Sequence, residues 1–124
     1  MKDIEVGEYV RTKEGEIHKV IKIIEDDGDW DYYCCGNNVG YFAMDIANHS
    51  KHLIDLIEVG DFVNGYRVIS VDYDVTNDTT ECIELDLNSN YQYNFISIRQ
   101  IKTILTHEQF EANCYKVGEE DEQI

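Results

Sequence analysis

Apolar and polar residues alternate with a period of two through the second half of the chain. Ile69, Val71, Tyr73 and Val75 are separated by Ser70, Asp72 and Asp74. Ile83, Leu85 and Leu87 are separated by Glu84 and Asp86, and Tyr91, Tyr93 and Phe95 by Gln92 and Asn94. Successive side chains of an extended strand point to opposite faces, so each run predicts a strand with one apolar face. The breaks, Thr76-Asn77-Asp78-Thr79 and Asn88-Ser89-Asn90, are rich in turn formers. The first half follows the same plan less regularly. A turn at Asp26-Asp27-Gly28-Asp29 leads into a strand with Trp30, Tyr32 and Tyr33, and Gly36-Asn37-Asn38 leads into Tyr41-Phe42. Near the end the period changes. Thr106 and Gln109 form a capping-box pair, and Phe110, Cys114 and Val117 share one face, which predicts a helix of about ten residues packed by that stripe. Gly118 ends it, and Glu119-Glu120-Asp121-Glu122 reads as an acidic tail.

The chain also repeats itself. Ile4-Glu5-Val6-Gly7-Glu8-Tyr9-Val10 returns as Ile57-Glu58-Val59-Gly60-Asp61-Phe62-Val63, and Lys19-Val20-Ile21-Lys22-Ile23 returns as Arg67-Val68-Ile69-Ser70-Val71. The second match comes at a smaller offset because the first loop is shorter in the second copy. Held at that offset, Cys34 falls on Cys82 and residues 53–57 fall on residues 101–105. Two copies followed by a separate ending divide the chain at 1–56, 57–105 and 106–124.

Five short strands per copy, opened by a Val-Gly-x-x-Val turn, resemble the small SH3-like barrels of many regulatory and nucleic-acid-associated proteins. The expected fold is therefore mainly all-β: two tandem SH3-like β-barrels from an internal duplication, plus one short C-terminal helix. The chain further resembles small acidic proteins carried by phages and prophages of Gram-positive bacteria, through the join from Ile54 to Asp61 and the Thr-His-Glu-Gln-Phe-Glu ending from Thr106. That resemblance brings no activity with it; it points toward an accessory protein directed at the host or its defences.

Charge sharpens the picture. The 124 residues hold 26 acids and 10 Lys or Arg, a formal net charge of −16. With 43% hydrophobic residues, nine tyrosines and no proline, this is the composition of a folded, strand-rich globule rather than of a disordered acidic segment. A surface of that sign repels nucleic-acid phosphates and anionic membranes and attracts basic partners. The basic residues near the start (Lys2, Arg11, Lys13, Lys19 and Lys22) are interleaved with Asp3, Glu5, Glu8, Glu14 and Glu16, so no net basic stripe is left for direct nucleic-acid binding. No apolar run approaches the ~18 residues of a membrane span and no signal-peptide core follows Met1, so the expected location is the cytoplasm of the cell that makes it, which the resemblance implies is a bacterial host.

The densest acidic stretch, residues 25–98, holds 15 acids against Lys51 and Arg67. If the strands carrying Asp72 and Asp74 and carrying Glu84 and Asp86 pair, four carboxylates share one patch at cross-strand spacings of roughly 5 Å. The second candidate is Asp26, Asp27, Asp29 and Asp31 around Trp30, a hairpin tip with an aromatic anchor. Its spacing does not fit a calcium-binding EF-hand loop. Other chemistry is weakly supported. Cys34 and Cys35 are adjacent, which fits no zinc knuckle, and their acidic setting disfavours a thiolate. Without an export signal, these two with Cys82 and Cys114 read as reduced, small apolar residues. His49 and His52 read as exposed residues of the join. No nucleophile elbow or phosphate-binding glycine loop is present.

These observations favour a binding protein over an enzyme, with no cofactor and no metal. The expected function is occupation of the basic nucleic-acid groove of a host defence or nucleic-acid-handling protein, as an anti-CRISPR or anti-restriction inhibitor does by nucleic-acid mimicry. Two alternatives remain open: a structural or assembly module that can form oligomers, or a small-ligand binder in the cleft between the barrels. An anionic ligand there requires Arg11, Lys13, Arg67, Arg99 or Lys102 to converge.

Overall fold

The computed structural model describes residues 4–25, 31–36, 38–87 and 94–117. Over these residues the chain forms two five-stranded antiparallel sheets and one short helix. The first sheet contains β1 (Tyr9–Thr12), β2 (Ile17–Ile24), β3 (Tyr32–Cys35), β4 (Gly40–Phe42) and β5 (Ile46–Ser50), in the order β4-β3-β2-β1-β5. The second contains β6 (Phe62–Val63), β7 (Tyr66–Asp74), β8 (Thr79–Leu85), β9 (Phe95–Ile96) and β10 (Ile104–Leu105), in the order β10-β6-β7-β8-β9. Read in reverse, the second order is the first with β6 in the place of β1. A 3-10 turn precedes the last strand of each sheet, at Ala43–Asp45 and Ile98–Gln100.

The repeated Val-Gly-x-x-Val segment has a physical basis. Gly7 and Gly60 adopt φ of 98° and 100°, a left-handed conformation in which a side chain is disfavoured. In each turn the glycine N–H donates to the facing strand, to Val20 O at 2.8 Å and to Val68 O at 2.9 Å. The valines return the bond to the residue after the glycine, Glu8 O at 2.8 Å and Asp61 O at 2.7 Å. Both turns thus bring the chain alongside the second strand of their sheet with the same bonds.

Each sheet covers its own core. Ile4, Val10, Val20, Tyr33, Cys35, Ala43 and Ile46 form the first, with Ile23 and Tyr41 packed against it. Ile54, Ile57, Val63, Val68, Ile83 and Leu85 form the second. Ile54, from the 3-10 turn Leu53–Leu56, therefore packs beyond the 56/57 boundary read from the repeat.

Three expectations from the pattern need correction. Bulges between Val20 and Lys22 and between Val68 and Ser70 shift each long strand by one residue. Side chains alternate only while pairing is uninterrupted, so the bulge exchanges faces. Val68 is in the core, Ile69 is exposed, and Val71 returns to pack against the core. Tyr73 and Val75 are exposed as well, so the Ile69–Val75 alternation does not mark a buried face. The same register pairs Val20 with Cys35 and Val68 with Leu85, which sets Cys34 against Glu84 rather than Cys82. The 3-10 turns likewise set β5 against β10, so residues 46–50 rather than 53–57 correspond to 101–105.

The helix α1 (His107–Asn113) has Thr106 as N-cap: the Gln109 N–H donates to Thr106 Oγ1 at 3.3 Å. The predicted apolar stripe does not hold it. Phe110 packs against Phe62 with ring centroids 4.9 Å apart and the rings tilted by 37°, yet stays 42% exposed, and Val117 is 76% exposed. Its first turn instead makes polar contacts to the β1–β2 hairpin of the other half. Thr106 Oγ1 donates to Gly15 O at 2.7 Å, and Gln109 Nε2 donates to Glu14 O at 2.6 Å.

Candidate functional site

The acidic face expected on β7 and β8 is present in a smaller form. The strands pair through Ser70 opposite Glu84, Val71 opposite Ile83 and Asp72 opposite Cys82. Asp72 and Glu84 thus lie on one face as diagonal neighbours, a spacing of roughly 7–8 Å between Cα atoms rather than the closer distance of residues directly opposite. Ser70 Oγ donates to Glu84 Oε1 at 2.9 Å, and the Cys82 thiol to Asp72 Oδ2 at 3.7 Å. Among the described residues no lysine or arginine forms an ion pair with Asp72, Asp74 or Glu84.

Asp74 is turned to another task. Its carboxylate accepts from the Thr76 N–H at 2.9 Å and from Asn77 Nδ2 at 2.6 Å, closing the β7–β8 turn. Asp86 follows the end of β8, where its N–H donates to Arg67 O at 2.8 Å. Asp31, half-buried, stands just before β3. Asp26, Asp27, Asp29 and Trp30, the rest of the second candidate, lie outside the described residues.

The most tightly built polar cluster joins the two halves, and nothing in the pattern announces it. Arg11 on β1 is fully buried. Its Nη1 donates to Asp61 Oδ2 at 2.5 Å and to Leu56 O at 2.8 Å; its Nη2 donates to Asp61 Oδ1 at 2.9 Å and to Glu108 Oε1 at 2.5 Å. Burial alone lowers the guanidinium pKa, but Asp61, Glu108 and Glu58 outweigh it and the net shift is upward. Asp61 also accepts the N–H of Glu58 and of His107, both at 2.8 Å. In the first half Glu8 has the matching place: it accepts the Glu5 N–H at 2.9 Å and bonds His49 Nδ1 at 2.7 Å. His49 is accordingly part of β5 and tied to a buried carboxylate, not a free residue of the join.

Glu58, His107 and Glu108 bring three ligand atoms within 4.8 Å of one another. Arg11 Nη2 lies 2.5 Å from Glu108 Oε1 and 3.6 Å from Glu58 Oε1, so a fixed guanidinium already supplies the positive charge that this group draws. A second polar cluster joins Glu16, His18 and Tyr41. The Tyr41 hydroxyl donates to Glu16 and lies 2.9 Å from His18 Nε2. Burial first, and Glu16 next, hold the Tyr41 phenol well above its ordinary pKa. Among the described residues no serine, threonine or cysteine side chain bonds a histidine ring; Ser50 Oγ accepts only the backbone N–H of His52, at 3.0 Å. The four cysteines are free; Cys35 is buried, and burial raises its thiol pKa.

Two adjoining hollows of about 370 and 460 Å³ lie between the halves and share Tyr9 and Leu53. Of the five bases considered for an anionic ligand, Lys102 alone lines them, and Lys19 stands there with it. Arg11 is committed to its ion pairs.

Fold and surfaces together define a mostly β protein of two similarly ordered sheets with a short C-terminal helix. Among the described residues no helix is long and apolar enough to cross a membrane. No family model, curated protein or solved structure matches the chain.

Proposed function

We propose that this chain is a non-enzymatic binding protein that presents its acidic β7–β8 face to the basic nucleic-acid groove of a host protein. The observation that carries the reading is the placement of Asp72 and Glu84 on one sheet face without a lysine or arginine partner among the described residues. Carboxylates left without internal counter-charges on a paired sheet keep their field for an outside cation. The net charge of −16 extends that field and favours fast, salt-sensitive association. A host nuclease, restriction enzyme or CRISPR effector offers the complementary surface, a channel lined with Lys and Arg.

The test is capture from bacterial lysate at low salt, with duplex DNA as competitor, by the wild type and by Asp72→Lys/Glu84→Lys. The reading expects a nucleic-acid-binding protein that DNA displaces and that the folded variant fails to retain. Equal retention by that variant removes the β7–β8 face from the account.

A further inference from the structure

The cleft between the halves differs in chemistry from the rest of the molecule. About one residue in five of the sequence is acidic, yet among the described residues no aspartate or glutamate lines either hollow. Lys19 from β2 and Lys102 from the segment before β10 line the first, and Lys51 and His52 line the second. Ile17, Ile101 and Ile104 give the first hollow an apolar wall and Ile54 and Ile98 the second, with Tyr9 and Leu53 common to both; Thr106 in the first and Thr79 and Thr80 in the second add hydroxyls. Lys19 Nζ sits 5.7 Å from the centre of the Tyr9 ring, so one ammonium is held at the edge of the shared wall. Two carboxylates near the cleft are already committed. Asp55 accepts from Ser50, Thr79 and Thr80, and Glu16 bonds His18 and Tyr41. Lys51 reaches Glu5 at 3.5 Å on the open surface, which leaves Lys19 and Lys102 as the stronger anion receptors.

We infer that this cleft binds a small anion carrying a flat aromatic ring, the chemistry of a nucleoside monophosphate. Its volume lies in the range of small-molecule sites, and its lining pairs apolar walls with a few cationic groups that fix orientation. A phosphate bridges Lys19 and Lys102, one from each half, while the base lies against Tyr9 and the isoleucines. Thr79 and Thr80 at the start of β8 line the second hollow, but neither Asp72 nor Glu84 lines either one, so the acidic face and the cleft can fail independently.

The measurement is a titration of the ¹⁵N-labelled chain with adenosine monophosphate, with adenosine, inorganic phosphate and a tetraglutamate peptide in parallel. Saturable shifts at Tyr9, Lys19, Leu53 and Lys102, larger with the monophosphate than with either of its parts, are expected. Lys19→Glu/Lys102→Glu, with an otherwise unchanged spectrum, is expected to weaken binding by about tenfold or more, the loss of a charge-assisted contact. Lys116→Glu, on the C-terminal segment, is expected to leave it unchanged. No shifts at the cleft, equal binding by the double variant, or adenosine or phosphate alone matching the whole ligand would each overturn the assignment. Tighter binding of tetraglutamate than of the monophosphate would also overturn it, by giving the cleft to an acidic peptide.

Discussion

Arg11 and Asp61 form a two-pronged ion pair, 2.5 and 2.9 Å, in which both side chains are excluded from solvent although 50 residues separate them in sequence. Arg11 belongs to the first sheet, Asp61 to the turn that opens the second, and Glu108, on the same guanidinium, to the C-terminal helix. One side chain therefore ties three parts of the chain together. The pair uses both terminal nitrogens and leaves Arg11 Nε buried without a partner. Taking these charges out of water is costly, and that cost offsets much of what their attraction adds to stability.

Removing one partner exposes that cost. Arg11→Met leaves Asp61 buried without its cation and is expected to destabilise the fold by about 3–5 kcal/mol in urea unfolding. Arg11→Lys keeps the charge but loses the two-pronged geometry, so its loss is expected to be smaller than that of Arg11→Met.

Glycine substitutions separate backbone strain from crowding. Gly7 and Gly15 both have positive φ, 98° and 88°. A Cβ on Gly7 meets nothing within 4 Å, whereas one on Gly15 runs into Thr106 Oγ1 and comes within 2.7 Å of Glu108 Cβ. Gly7→Ala is expected to cost about 1–2 kcal/mol from conformation alone, and Gly15→Ala clearly more, because it also lifts the first turn of the helix. Thermal unfolding of the two variants under one condition checks the order.

The pH dependence follows from Asp55. Burial pushes its carboxyl pKa up, but bonds from the Thr80 N–H at 2.6 Å, Ser50 Oγ at 2.7 Å and Thr79 Oγ1 at 3.0 Å outweigh it and leave the pKa below the usual value. The folded state thus binds this proton less readily than the unfolded chain. The stabilisation is complete above the unfolded carboxyl pKa of about 3.9 and is lost as pH falls through the lower folded value. Asp55→Asn is expected to lose about 1–3 kcal/mol at neutral pH, as a buried bonding network is broken, and to flatten the acid limb of a stability–pH curve.

Cys82 reports on the acidic face directly. Burial, then the charge and hydrogen bond of Asp72, raise its thiol pKa. Asp72→Asn is expected to speed alkylation of Cys82 in the native protein severalfold, while buried Cys35 stays protected in both. Unchanged Cys82 reactivity would separate Asp72 from the thiol.

Much of the fold is legible in the sequence. The Val-Gly-x-x-Val turns stand out because their glycines meet a backbone need that few residues satisfy, and the strand runs of β8 mark its buried Ile83 and Leu85. Face assignments on β7 were not legible. The alternation rule assumes unbroken pairing, and a bulge leaves no mark in a run of Val, Ile and Ser. The Arg11–Asp61 pair was hidden for another reason. Ion pairs between distant residues follow no spacing, and Arg11 lies among lysines and glutamates that resemble any solvated stretch. The acidic face is half legible: the alternation marks the polar positions, while the pairing of the two strands and the diversion of Asp74 into the turn by Thr76 and Asn77 come from the structure.

The salt dependence of affinity for the captured partner tests the central claim most directly. A carboxylate face competing for a cationic groove predicts affinity that falls steeply as salt rises, with a visibly shallower slope for Asp72→Lys/Glu84→Lys. Affinity that is independent of salt, or a slope unchanged in that variant, would contradict it.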